Sequence, residues 1–478
     1  MTDTTVDAVR TDAVRIDADH WRERLAELAA AHGVPGAQLG ILRVGAQGRD
    51  DEQVVVSTGH LHVPAQIPVR DDAVFQIGSI SKVWTATVAM QLVDEGLIGL
   101  DQPIIEVLPD FRLADMDVAA QVTLRHLLTH TSGLDGDVFT DTGRGDDTIE
   151  KYVGLLEQQT QNHPIGATWS YCNAGFVVVG RLIEVLTGKT WDAAMRERLY
   201  EPLGLTDTVT LPEDAILRPV AVGHVDGPDG PDGPPQVAPA WMLPRPLGPA
   251  GLITSRASDV LAFARMHLAG GVAADGTRVL SDALVADMQA LHADVPEKHS
   301  LGDSWGLGWI RFGWNGDRLI GHDGNTIGQA AFLRLLPEQG LAVTLLTNGG
   351  HTRDLYMDLY REIFDELAGV RMAGTLEPSP DAVADVTPYL GAYERASVRM
   401  EVLPAQEPGE QPILRAISTW SIDDGESEVT DFPLHAVEPG LFATRAPGTE
   451  TWMGVKFYTL PTGEEYVHFG ARATPKVS

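Results

Sequence analysis

Between Asp17 and Gly36 the apolar residues Trp21, Leu25, Leu28 and Ala29 recur at helical intervals. "DADHWRERLAELAAAHGVPG" therefore predicts a helix that Gly33 and Pro35 stop. Residues 1–17 show no such period and read as an acidic tail. Two runs of strand character follow, "GAQLGILRV" (36–44) and "EQVVVSTGH" (52–60). The next helix is expected from about Ser79 to Glu95. Val83, Val88, Met90, Leu92 and Val93 fill it, Gly96 ends it, and Ser79 stands where a capping serine would. Helical periods dominate from there to about 210, including "TLRHLLTHTSGL" and "YCNAGFVVVGRLIEVLTG". "DGPDGPDGPP" (226–235) cannot hold regular structure and reads as a surface loop. "TSRASDVLAFARMHLAGG" (254–271) is another helix. Residues 304–350 alternate strand and turn like an antiparallel meander, and 353–369 form an amphipathic helix. Strands at both ends of this region must share one sheet, with the helices inserted between them.

After Val370 the pattern changes. Residues 371–387 are linker-like, and from 388 to 478 short strand candidates follow without a helical signal. They are "SVRMEVLP", "ILRAISTW", "LFATRAP", "WMGVKFYTL" and "EYVHFGARA", which predict a small all-β barrel or sandwich. The chain thus divides into a tail (1–17), a large α+β domain (18–370), a linker and a small all-β domain.

Composition excludes more than it assigns. The 478 residues carry 35 Lys+Arg against 67 Asp+Glu, a net charge of -32. That removes the basic footprint of a nucleic-acid binder and disfavours anionic membrane surfaces. The single cysteine, Cys172, precludes a disulfide within the chain. The acidic start resembles no secretory or transit signal, and no apolar run approaches the roughly 18 residues of a membrane span, so a cytoplasmic protein is expected.

One spacing carries chemistry. Ser79 and Lys82 stand three residues apart, with Cβ atoms about 5–6 Å apart on one helical face. A hydroxyl becomes a useful nucleophile when a base takes its proton. Lysine can be that base if its pKa falls from about 10.4 toward 7, at a cost of about 4–5 kcal/mol. Burial beside Val83 and Met90, and the positive end of the helix, can supply that shift. On spacing alone, a plain N-cap serine and a solvent-facing lysine fit equally well.

Two further stretches decide between these readings. "TWSYCNAGF" holds Tyr171-Cys172-Asn173, and "LIGHDGNTIGQ" holds His322-Asp323-Gly324. With Ser79 and Lys82 they resemble the three-motif set of the serine β-lactamase and penicillin-binding protein superfamily. The Y-x-N and H-x-G version is similar to class C β-lactamase-like esterases and D-amino-acid peptidases. "HLLTHTSGL" (126–134), "EPLGL" (201–205), "PAGLITSRASDVLAF" (249–263) and "WGLGW" (305–309) extend the resemblance over about 18 to 370. It implies the β-lactamase type of fold, an antiparallel sheet with helices on both faces and an inserted helical region. The C-terminal region, 388–478, resembles the lipocalin-like β-barrel appended to some members.

The resemblance also implies roles. Ser79 would be acylated, and Lys82 and Tyr171 would share its proton, the tyrosine as phenolate or relay. Asn173 would hold the acyl amide and steady Lys82. His322 would replace a strand lysine that steers protons or binds a substrate carboxylate. The N–H groups of Ser79 and Asn325 would form the oxyanion hole, each such donor being worth about 3–4 kcal/mol. Gly324 and Asn325 would face the substrate. Because His322-Asp323-Gly324 lacks the K-[TS]-G lysine, efficient β-lactam hydrolysis is not expected.

The remaining candidates have blander readings. His126 and His130 stand four apart, but Leu127 occupies the place of the zincin glutamate, so both read as structural. Cys172 reads as a small buried side chain. No G-x-S-x-G elbow occurs. Arg472, in what reads as the final strand, is either a rim charge on a covering domain or a planar fork for a substrate carboxylate or carbonyl. The leading expectation is a serine hydrolase of esters or amides, of carboxylesterase or D-amino-acid amidase/peptidase type, needing no metal or cofactor. An acyltransferase or thioesterase that cyclises a peptidyl thioester, with a peptidyl carrier protein as partner, is the alternative. A non-catalytic ligand-binding relative is the third. The loops 136–150 and 226–248, which would shape the acyl pocket, cannot be placed from sequence.

Overall fold

The computed structural model describes residues 14–478 apart from 46–49, 228–229, 231–232, 381, 397, 419–427, 446–448 and 450. Most of the expected acidic tail, the centre of the Gly/Pro loop and the end of "ILRAISTW" therefore lie outside the described residues.

The large domain is built on a nine-stranded antiparallel sheet. Its strand order is Ile67–Pro68, Glu52–His62, Gly36–Arg43, Leu341–Thr347, Gln329–Leu336, Asp317–Thr326, Ile310–Trp314, Ser304–Trp305 and Ala293–Asp294. Gly36–Arg43 pairs with Leu341–Thr347 in the register Ala37 opposite Thr347, so the two ends of the domain close one sheet. The central strands are buried on both faces, and their alternation sorts side chains between two cores. In Leu341–Thr347, Leu341, Val343 and Leu345 face one core, and Ala342 and Leu346 face the other.

On the first face lie the helices Ala18–Ala31 and Thr352–Ala368. The latter buries Leu355, Tyr356, Leu359, Tyr360, Ile363, Phe364 and Leu367, the stripe an amphipathic helix needs. Each aliphatic side chain so buried is worth roughly 1.5–3 kcal/mol. The second face carries the helices Ser81–Asp94, Asn173–Thr187 and Ala257–Leu268. Ser81–Asp94 is buried nearly all round, from Ser81 to Leu92, so it is a core helix and not an amphipathic one. Its start differs from expectation. Ser79 belongs to a 3₁₀ turn, Gly78–Ile80, and its side chain caps nothing, because the turn precedes the helix and Ile80 occupies the cap position.

The C-terminal region is all β but is not a closed barrel. Its strands form a four-stranded sheet (391–433) and a five-stranded sheet (435–475), both antiparallel. An isolated bridge between Tyr393 and Lys476 joins them along one seam. Three strands lack a clear apolar signal and were not expected: Gly391–Arg395, Glu428–Pro433 and His435–Glu438. "EYVHFGARA" is not a single strand. It is a hairpin, Glu465–Phe469 and Arg472–Pro475, with Phe469 paired to Arg472. Gly470 and Ala471 both have positive φ, 57° and 64°, the geometry of a two-residue turn that matches the twist of the strands.

Candidate active site

The turn that carries Ser79 and the strand Asp317–Thr326 meet backbone to backbone. A Cβ on Gly324 would lie 2.0 Å from the Ile77 carbonyl oxygen and 2.9 Å from Ser79 N. A Cβ on Gly78, where φ is +51°, would lie 2.6 Å from Asn325 N. Only glycine fits at either place, and the contact brings the backbone nitrogens of Ser79 and Asn325 to the same spot.

Lys82 is fully buried on the core helix. Its Nζ is 3.0 Å from Ser79 Oγ and 2.5 Å from the Ala250 carbonyl oxygen. It also lies 4.8 Å from the centre of the Tyr171 ring. Burial pushes its pKa well below the ordinary lysine value; the charge of Arg472 adds to the push and Asp137 opposes it. Tyr171 is buried, and its hydroxyl makes no well-formed hydrogen bond. Burial pushes the phenol upward, partly countered by the hydroxyl of Ser79.

His322 is buried beside them, its ring 6.2 Å from that of Tyr171. Its Nδ1 lies 2.6 Å from the Asp323 carbonyl oxygen, which fixes the proton on Nδ1. Burial and the nearby Lys82 bring the imidazole down to about 3, so it is neutral and offers Nε2 as an acceptor. The adjacent Asp323 carboxylate pairs with the buried Arg334 at 2.6 Å and with Arg353 at 3.5 Å. Burial pushes Asp323 up, but the two guanidiniums outweigh it and hold the group below the ordinary carboxylate value.

Asn173 opens its helix. Its side-chain Nδ2 reaches Asp137 Oδ1 at 3.4 Å, while the hydrogen bonds of Lys82 go to Ser79 and Ala250. Cys172 caps the same helix through its sulfur, which accepts the Gly175 N–H at 3.2 Å, and burial pushes its thiol up to about 12. His130 is buried, and its Nδ1 accepts the Cys172 N–H at 3.0 Å, locking the motif in place. His126 sits apart, in a capping box with Thr123.

A cleft of about 430 Å³ opens onto this group. Ser79, Tyr171, Asn173, His322, Asn325 and Arg472 all line it. Gly324 packs directly beneath, and Lys82 reaches Ser79 from the core side. Apolar walls come from Phe139, Leu243, Leu247, Leu301 and Ile327, so both loops that could not be placed from sequence contribute to it. Arg472 lines the cleft, but its fork is committed to Asp137. Sequence reasoning missed Asp137, Arg395 and Arg334. An aspartate in "SGLDGD" looks like any turn aspartate, and only the fold brings two distant arginines to it.

The β-lactamase family model matches residues 21–367. The chain belongs to the β-lactamase family. This family member is 46% identical to penicillin-binding protein 4 of Amycolatopsis lactamdurans, over 79% of this chain and 98% of that one. Its fold is similar to the crystal structure of SurE, with a TM-score of 0.75, 27% identity, and coverage of 96% of this chain and 99% of SurE. SurE has also been solved with D-Leu, at the same score and coverage. A D-stereospecific amidohydrolase from Streptomyces sp. aligns with a TM-score of 0.56 and 25% identity, over 74% of this chain and 99% of its own.

Proposed function

We propose that this β-lactamase-family protein is a serine acyl-enzyme hydrolase that takes acyl groups carrying a D-configured residue. The observation that carries the reading is Lys82 Nζ, fully buried and 3.0 Å from Ser79 Oγ. A lysine held neutral there accepts the Ser79 proton as Oγ attacks an ester or amide carbonyl. The N–H groups of Ser79 and Asn325 receive the oxyanion. Tyr171, kept protonated by burial, relays the proton to the leaving group rather than acting as a phenolate. Water then releases the acid by the reverse path. The D preference draws on similarity to SurE, solved with D-Leu, and to a D-stereospecific amidohydrolase. Neutral His322 offers no charge to a β-lactam carboxylate, so β-lactams are expected to be poor substrates.

The apolar lining of the cleft favours one second reading, in which an amine of the acyl group replaces water and the product is a cyclic peptide. A panel of esters, D- and L-aminoacyl amides and peptidyl thioesters, read by intact-protein mass spectrometry, tests both. An acyl adduct on Ser79, absent in Ser79→Ala, is expected, with D donors ahead of L. Acid or cyclic product separates hydrolysis from transfer. If no activated ester acylates the protein, it is a ligand-binding relative and the reading fails.

A further inference from the structure

We propose that Arg472, delivered by the C-terminal hairpin and held by Asp137, is a positioning residue for the Lys82–Tyr171 pair. The inference rests on the acyl-enzyme reading above.

The geometry is specific. The hairpin turn places the Ala471 carbonyl oxygen 2.9 Å from the Tyr171 N–H, which donates to it. The Ala473 N–H donates to Ser170 Oγ at 3.1 Å. Between these bonds the Arg472 guanidinium lies 4.8 Å from the centre of the Tyr171 ring. Its fork donates to both oxygens of Asp137, Nη2 to Oδ1 at 2.8 Å and Nε to Oδ2 at 3.2 Å. Asp137 also accepts Arg395 Nη1 at 2.8 Å and the Asn173 amide at 3.4 Å. A residue of the small domain is thus fixed against a motif residue of the large one, with its orientation set by a second motif neighbour.

The charges around Lys82 show what this placement does. The groups near it are Ser79, Tyr171, Cys172, His130 and His322, which are all neutral near pH 7, and the charged pair Asp137 and Arg472. The positive charge of Arg472 pushes Lys82 down, and the negative charge of Asp137 pushes it up. The hairpin therefore adds a fixed positive charge that opposes protonation of Lys82, and it seats the ring that shields Lys82 from water. A fork committed to Asp137 is also not free to bind a substrate carboxylate, which separates this role from direct recognition.

The test uses the full-length chain and p-nitrophenyl acetate, a donor with no carboxylate. Wild type is first shown to acylate at Ser79 with this or another activated ester without a carboxylate, which then serves as the donor; failure of every such ester overturns the acyl-enzyme reading and this inference with it. The acidic limb of kcat/KM against pH is then followed in variants with native circular dichroism. Arg472→Gln should move the limb to higher pH by about one unit, because Lys82 holds its proton longer. Asp137→Asn should move it to lower pH. Arg472→Lys should keep it near the wild-type position. Tyr458→Phe removes the Thr168–Tyr458 hydrogen bond of the same domain contact without changing a charge near Asp137, and should leave the limb in place. Halves of one ion pair that shift the limb in opposite directions cannot be explained by loss of docking alone. If Asp137→Asn fails to fold, the Lys and Gln variants of Arg472 decide. The proposal is overturned if Arg472→Gln leaves the limb unmoved, if the two halves shift it the same way, or if Tyr458→Phe reproduces the Arg472→Gln profile.

Discussion

Lys82 is costly to the fold in its charged form and useful in its neutral one. A buried ammonium with one hydroxyl and one carbonyl as partners is under-solvated, so the fold itself expels the proton. Lys82→Arg should therefore be nearly as damaging as Lys82→Ala. Arginine keeps its proton in proteins, so about 10²–10⁴-fold of general-base catalysis should be lost from kcat/KM while the charge is preserved. Wild-type acylation by the Arg variant would mean that Lys82 supplies only charge. Gly324 invites a complementary test. An alanine there places a methyl 2.0 Å from the Ile77 carbonyl oxygen, and strand and turn must part. Overpacking of this kind costs about 1–3 kcal/mol of stability. Separating the nitrogens of Ser79 and Asn325 should in addition lower kcat by about 10²–10³-fold. A folded Gly324→Ala protein with unchanged kcat would place the oxyanion donors elsewhere. At this scale the spacing of Ser79 and Lys82 raised the chemistry only as one of two readings, and the Tyr171-x-Asn173 and His322-x-Gly324 motifs tipped it. Asp137 stayed hidden because its role comes from Arg395 and Arg472, more than 250 positions away.

At the scale of elements, legibility follows periodicity. Thr352–Ala368 and Ala18–Ala31 have one dry and one wet face, so their apolar residues recur at helical intervals. Ser81–Asp94 is buried all round, and its sequence showed a helix but not where the 3₁₀ turn before it ended. Short edge strands such as Glu428–Pro433 expose most of their side chains and leave too little alternation to read. The hairpin at Gly470–Ala471 was read through because its turn carries alanine where glycine or asparagine would announce it. That alanine makes a prediction of its own. At φ 64° an L-residue is strained by roughly 1–2 kcal/mol, and the extra chain freedom of glycine offsets about 0.5–1 kcal/mol of the relief. Ala471→Gly should raise stability by roughly 0.5–1 kcal/mol in thermal or denaturant unfolding. A lower melting temperature would show that the Ala471 methyl is held by contacts worth more than the strain.

At the scale of the whole molecule, the question is what the small domain is for. It meets the large one through polar contacts, one of which is made at the cleft by Arg472. Thr168 bonds Tyr458 at 2.9 Å, the Gly454 N–H donates to Ser300 Oγ at 3.2 Å, and Arg395 and Arg472 grip Asp137. Burial pushes Asp137 up, but Arg472 and Arg395 outweigh it and hold it below the ordinary carboxylate value. A carboxylate depressed in the folded state stabilises it above its unfolded pKa of about 3.9, and that stability is lost as pH falls through the lower folded value. The docked state should thus be insensitive to pH near neutrality and weaken below about pH 4, read as faster proteolysis in the linker 371–387. Removing the domain is the sharper test. If it merely narrowed the cleft, a chain ending at 370 would lose large acyl donors and keep small activated esters. Yet Tyr171 gives its N–H to Ala471 and stacks under Arg472, so truncation strips supports from the tyrosine that lies against Lys82. The expected outcome is a less soluble protein whose kcat/KM falls by a similar factor on p-nitrophenyl acetate and on peptidyl substrates. A folded truncation product that turns over p-nitrophenyl acetate at the full-length rate would reduce the small domain to a selector of substrates.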